Sequence, residues 1–312
     1  MRAVGRRHGI VLGGLAVLLL ALFAARVLLG DYTVTLPDFL RILGGENIPV
    51  ASFLVMESKL PRAAAAVVAG LAFGAAGATF QSVLRNPLAS PDVVGVSVGA
   101  SFGALFALVV LEWTGPAVAL SAAGGGLAVT GLLVLLSRRG PADAAAHTMV
   151  LTGIGLSAAL MAGIHWLLLR TELHKAQDAV VWLSGSVNDV LWREIGVLAL
   201  LVAVLLPLLV ATTARLGVLE LGDDLATGLG EHPTRLRGLA MLLAGPIARA
   251  LNQGRTTVLG AGLVGACIFL AADYTGAYLA PGGNLPVGIV TGLAGGPFLL
   301  GLLLTSRRWM SS

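Results

Sequence analysis

Side chains that could do chemistry are scarce in this chain, and their spacing excludes more than it offers. There are two lysines, Lys59 and Lys175. Neither sits in the G-x-x-x-x-G-K-[ST] pattern whose backbone amides cradle phosphates, so the chain lacks that route to ATP. The five histidines (His8, His147, His165, His174, His232) are scattered, with no His-x-x-x-His or Glu-x-x-His pair to hold a metal. The one cysteine, Cys267, lies inside an apolar run and reads as a small core residue, leaving no disulfide within the chain and no zinc set. No nucleophile-elbow motif is present. No catalytic residue, metal or cofactor is therefore expected, and an enzyme is the weakest reading. Asp273, at the end of an apolar run, reads as interfacial. Gln81 reads as a hydrogen-bonding partner for a neighbouring helix or as a residue lining a path. With charges nearly absent from the apolar runs, the buried relay of an ion-coupled secondary transporter is missing as well. Such a chain has no energy source of its own; if it transports, a partner must power it.

The elements that must position these residues are apolar helices. Of 312 residues, 57% are hydrophobic and 12% charged, against roughly 25% charged in a soluble domain. Composition and recurrent apolar runs predict an all-α, polytopic membrane protein forming one transmembrane domain over 1–312, embedded in a lipid bilayer. The expected spans are 10–29, 60–82, 93–111, 116–136, 148–169, 195–213, 258–272 and 286–304. The first is longer than a signal-peptide core and ends at no small-x-small site, so it reads as retained. With the N-terminus in the cytoplasm, 13 of the 20 basic residues fall on inside segments and ten acidic residues outside, as the positive-inside rule requires. That arrangement puts both termini inside. It also accounts for the basic balance: no clustered basic face with stacking aromatics points to nucleic acid.

The stretch from Leu60 to Ala104 carries the most specific signal. Ala66, Gly70, Gly74 and Ala78 recur every fourth residue in the first run, and Gly95, Gly99 and Gly103 in the second. Small-residue stripes let membrane helices approach closely, so the two runs are expected to pack as a tight hairpin. Its turn holds Arg85, Asn86 and Pro87, with a second proline at Pro91; proline fixes φ and restricts the residue before it. The words Leu60-Pro61-Arg62-Ala63, then G-x-x-x-G-A-A-G-A-x-F-Q, then RNPLASPDVVGVSVGAS, resemble the permease subunits of the iron-siderophore and vitamin B12 class of ABC importers. The resemblance covers roughly 30–305. It implies a fold of ten spans, a separate cytoplasmic ATPase subunit, an extracytoplasmic substrate-binding protein and a second permease subunit, identical or not. It also implies a place in the bacterial inner membrane, with Gln81, Asn86, Pro87, Gly95 and Gly99 at the translocation path or in helix packing.

Two further places take a role from the resemblance. Composition alone reads 214–237 as a solvated loop whose acidic residues, Asp223 and Asp224, suit a helix N-terminus. The family's coupling helices carry leucine-glycine-aspartate, then alanine, then leucine-glycine. Here Leu221, Gly222, Asp223, Asp224, Ala226, Leu229 and Gly230 stand in that order, which implies docking into the ATPase. Lys59 and Arg62, at the mouth of span two, read alone as cations holding a helix end; the resemblance implies docking to the binding protein. The segment Ala179 to Trp192 is similar to the family's outer helix after span five. The chain departs from the pattern at 238–252. Gly245-Pro246-Ile247 is kept, but roughly twenty residues around it are missing, which leaves about eight full spans, since a span needs roughly 17–25 residues. The expected function is a ferric-siderophore permease subunit. The alternatives are a haem or cobalamin permease of the same class, a degenerate membrane subunit that does not transport, and a gradient-driven secondary transporter.

Overall fold

The computed structural model describes residues 2–84, 90–92, 94–137, 145–188, 190–219, 258–279 and 285–309. All regular elements among them are helical: α1 (Arg2–Leu28), α2 (Leu36–Leu43), α3 (Ala51–Leu84), α4 (Val96–Val109), α5 (Pro116–Ser137), α6 (Ala145–Arg170), α7 (Leu173–Ser184), α8 (Trp192–Leu219), α9 (Val258–Tyr278) and α10 (Val287–Trp309). Six of them (α1, α3, α5, α6, α8 and α9) are long and apolar enough to cross a membrane; Val96–Val109 and Val287–Phe298 are shorter apolar helices. Each of the eight expected spans therefore coincides with a helix, six with the length and apolarity to span.

Local sequence explains the element ends. Thr35 caps α2, its hydroxyl oxygen accepting from the amide of Asp38, and satisfies a donor that the first turn would leave unpaired. Gly95 caps α4 at φ +86, a conformation that glycine adopts without strain. Span two is longer than the sequence suggests. A π-helical turn, Leu54–Lys59, joins the short piece at Ala51 to the main helix, making α3 a 34-residue element. At 1.5 Å per residue it runs about 50 Å, well beyond the roughly 30 Å of a bilayer core. The outer helix expected at Ala179 to Trp192 is instead α7, over Leu173–Ser184. Gly185, at φ +72, turns the chain out of the helix before Trp192 opens α8.

The chain divides into two compact units, with α3, α8, α9 and the last residue of α7 crossing the division. Unit 1 comprises 1–70, 184–199 and 263–312. Its core gathers Val27, Val34, Ile42, Val55, Ala63, Ala66 and Leu270, with Phe23 and Phe39 packed against them. Here Gly70 lies on the backbone of α9: a Cβ at that position would come within 2.5 Å of Ala266 Cα. Gly288 is pressed just as closely on the carbonyl of Ser184.

Unit 2 comprises 71–183 and 200–262. Leu105, Ile164, Leu167 and Ala179 form its core across α4, α6 and α7. Gly74 meets the carbonyl of Ala261 in α9, and Gly99 and Gly103 meet Val129, Gly125 and Ser121 in α5. Ser121 Oγ closes that contact by donating to Gly103 O at 2.7 Å. The small-residue stripes thus work as expected but with other partners. The stripe of span two meets α9 at Gly70 and Gly74, and that of span three meets α5 at Gly99 and Gly103 and α6 at Gly95, so the expected packing of the two stripes on each other is corrected. Spacing marks which face of a helix is smooth and carries no information on which helix will lie against it.

Candidate functional site

The helix ends of unit 1 hold the one concentration of buried charge among the described residues. Arg26, Lys59, Arg62 and Asp273 are its four buried charged side chains. Arg26 comes from the last turn of α1, Lys59 and Arg62 from the first part of α3, and Asp273 from α9. Asp273 is 1% exposed and uses both carboxylate oxygens. Oδ2 accepts from Arg26 Nε at 2.6 Å and Oδ1 from Arg62 Nε at 2.8 Å. Charge-assisted bonds of this length are the strong kind, and in a low-dielectric interior a carboxylate needs such partners. Arg26 is held a second time, its Nη1 donating to Tyr278 Oη at 3.0 Å while its guanidinium lies 5.2 Å from the centre of that ring. Tyr278 in turn packs against Gly30, at φ +124, where a Cβ would collide with the ring. Lys59 donates to the carbonyls of Leu29 (2.9 Å) and Tyr32 (2.5 Å). Its ammonium thereby satisfies carbonyls just past the C-terminus of α1, where a cation suits the helix dipole.

This corrects two expectations. Asp273 is buried, not interfacial. The apolar runs are also not nearly free of charge, because helix ends 247 residues apart in sequence bring Arg26 and Asp273 together. Lys59 and Arg62, which read alone as cations holding a helix end and take a docking role from the resemblance, are 6% and 7% exposed and engaged within the chain. Arg26, Tyr278 and the partnership with Asp273 were not singled out from the sequence. An arginine inside an otherwise apolar span was the available signal, since such a residue faces the protein interior and pairs there.

The other expected site residues fall elsewhere. Gln81 is partly buried on the last turn of α3. Gly95 and Gly99 are buried in unit 2. Gly95 abuts Ser157 and Gly153 in α6, and Gly99 abuts Val129 and Gly125 in α5. Asn86 and Pro87 lie outside the described residues, as do Leu221, Gly222, Asp223, Asp224, Ala226, Leu229 and Gly230 and the segment 238–252. No group of three metal-binding side chains occurs among the described residues. Cys267 is buried, its thiol 3.8 Å from Leu15 O. An exposed pair in unit 2, Lys175 Nζ and Glu112 Oε1 at 2.7 Å, ties α7 to the turn after α4. Its hydrogen bond, and then its charge, holds the Glu112 carboxyl below the usual range and the Lys175 ammonium above its own.

Comparison with known proteins decides the family. The FecCD transport family matches residues 18–251 and 242–305. The chain belongs to the FecCD transport family. The ferric enterobactin transport system permease protein FepG of Escherichia coli K12 is 36% identical over 301 residues, covering 89% of this chain and 91% of that protein. The Fe(3+)-citrate import system permease protein YfmE of Bacillus subtilis 168 is 33% identical over 319 residues, covering 94% of each. A solved structure of a metal-chelate type ABC transporter in an inward-facing conformation has the same fold, with a TM-score of 0.82, 24% identity and coverage of 96% of this chain and 99% of that one. As a FecCD member the chain is a non-enzymatic, multi-pass permease of an ABC importer, and ATP is hydrolysed on a separate subunit. The alignments also bear on length. An alignment of 319 residues is longer than this whole 312-residue chain, though it covers 94% of it. FecCD relatives therefore carry positions with no counterpart here, and the two family matches meet at 242–251.

Proposed function

We propose that this chain is the membrane-spanning subunit of an importer for ferric siderophore. The observation that carries the reading is the near end-to-end similarity to a permease named for ferric enterobactin. It works with a second permease subunit, the two bundles enclosing the path, and with a pair of cytoplasmic ATPase subunits. An extracytoplasmic binding protein delivers the ligand. The chain sits in the bacterial inner membrane with both termini in the cytoplasm, which the distribution of its arginines supports. Leu221, Gly222, Asp223, Asp224, Ala226, Leu229 and Gly230 form the surface on which the ATPase pushes, and Lys59 and Arg62 lie at the end of α3 that meets the binding protein.

Co-purification with the ATPase subunit tests this reading. The unaltered chain should retain the ATPase through affinity purification. Gly222→Trp together with Asp223→Arg should reduce the retained ATPase at least about tenfold, the effect of losing roughly 1.4 kcal/mol of binding. Equal retention by the altered chain would remove the coupling assignment. A second reading, a membrane subunit that no longer transports, is motivated by the positions that relatives have and this chain lacks; it predicts ATPase retention without uptake.

A further inference from the structure

Pro61 stands near the start of the main segment of α3 and has no N–H, so the turn before it lacks one helical donor. In an α register the carbonyl left over would be that of Glu57, against which the proline ring would also press. In the structure this turn is π-helical. Leu60 N–H donates to Val55 O, five residues back, and the carbonyl left over is that of Met56. Its α donor would be Leu60 N–H, which serves Val55, and its π donor would be Pro61, which has none. The gap is filled from 136 positions away: Trp192 Nε1 donates to Met56 O at 2.7 Å. That donor is itself held in place. Trp192 is the first residue of α8, whose start is capped by Glu194 Oε2 accepting from Leu191 N–H at 3.1 Å. At the other end of the same connection, Gly185 O accepts from Gly288 N–H of α10 at 3.2 Å. The π register also serves burial. Ala51, Val55, Lys59 and Ala63 are all buried. Residues four apart in an α-helix drift by about 40° per step, so this row would turn by about 120° from first to last. A wider turn takes up part of that drift and keeps Ala51, Val55 and Ala63 on one core.

We propose that Trp192 is a positioning residue that latches the start of α3 in the π register, its indole N–H standing in for the amide that Pro61 lacks. Leu60 N–H is shared between two registers. With the indole on Met56 O it serves Val55 O. With the indole withdrawn it returns to Met56 O and the turn tightens to α. The residues before the turn then rotate by about 100°, which takes Ala51 and Val55 off the core. Trp192 acts through Met56 O, so a displacement of the start of α8 becomes a rotation of the first turns of α3. The latch needs neither the ligand nor the docking and coupling surfaces assigned above.

The test is amide hydrogen exchange on the full chain in detergent, read by mass spectrometry over peptides covering 51–60, with peptides of α5 as the reference. Trp192→Phe keeps an aromatic ring and loses the N–H. Exchange over 51–60 should accelerate about tenfold in this variant, while α5 is unchanged. Pro61→Ala restores an amide that reaches Met56 O in the π register, so the indole becomes redundant. In the paired variant, Trp192→Phe with Pro61→Ala, exchange over 51–60 should return to within about twofold of the unaltered chain. An unchanged rate in Trp192→Phe would overturn the proposal. So would equal acceleration by Trp192→Phe with and without Pro61→Ala, because that is the signature of lost ring packing and not of a lost donor. If Trp192→Phe alone does not fold, recovery of a folded chain by Pro61→Ala supports the latch, and failure to recover one overturns it.

Discussion

Asp273 carries one negative charge between two guanidiniums, and three helices meet on it. Take the carboxylate away and the buried Arg26 and Arg62 both lose the anion they share. Breaking a buried pair in this way costs about 3–5 kcal/mol, so Asp273→Ala should lower the thermal unfolding midpoint of the detergent-solubilised chain sharply. Arg26→Gln should cost less, because Asp273 keeps Arg62. Equal midpoints for Asp273→Ala and the unaltered chain would contradict the geometry. The exposed Lys175–Glu112 pair behaves differently. The Glu112 carboxyl is held low in the folded chain, so its contribution is present above the ordinary carboxylate range and is lost as pH falls through the depressed value. The Lys175 ammonium is held high, so its contribution is present below the ordinary lysine value and is lost as pH rises through the raised one. A double-mutant cycle with Lys175→Gln and Glu112→Gln should therefore show a small coupling at neutral pH and low salt. That coupling should vanish in acid, and also at about 1 M salt, where screening is nearly complete. Coupling that persisted in acid would count against the pair. At this scale the sequence was least legible. Arg26 and Asp273 are visible in it as isolated charges in apolar runs, but their contact spans 247 positions and no local spacing encodes it.

The helices themselves were legible because a membrane demands long apolar runs, and each expected run contains one. What the runs did not reveal is who packs on whom, or that a π-turn lengthens α3 on the side of Lys59. Gly74 shows the consequence of close packing: a side chain there has to displace the backbone of Ala261. Gly292 in α10 has nothing within 4 Å of where a Cβ would stand. Gly74→Val should therefore destabilise the chain by about 1–3 kcal/mol or more, as overpacking does. Gly292→Ala should be neutral or gain a few tenths of a kcal/mol from helix propensity. Thermal unfolding of the two variants side by side checks this, and equal stability would mean that α3 and α9 do not meet through Gly74. The turn holding Asn86 and Pro87 and the coupling words at 221–230 remain assignments from resemblance, outside the described residues.

For the whole molecule, family membership says what kind of machine this is, and the composition says why it needs others. A chain that is 57% hydrophobic with two lysines and no phosphate-cradling motif can shape a path and lacks that route to spending ATP. The words of the hairpin block and the coupling segment made the family legible; the ligand is not legible, because those same words are shared across the class. The shortfall in aligned positions shows that this chain lacks positions its relatives have and makes transport itself the deciding observable. The most direct measurement is uptake of radiolabelled ferric siderophore by liposomes containing the chain, with its ATPase and binding protein supplied or withheld. Uptake that needs ATP and all three components is the predicted result. Uptake driven by a proton or sodium gradient without the ATPase, or no uptake while the ATPase is retained and hydrolyses ATP, would contradict it.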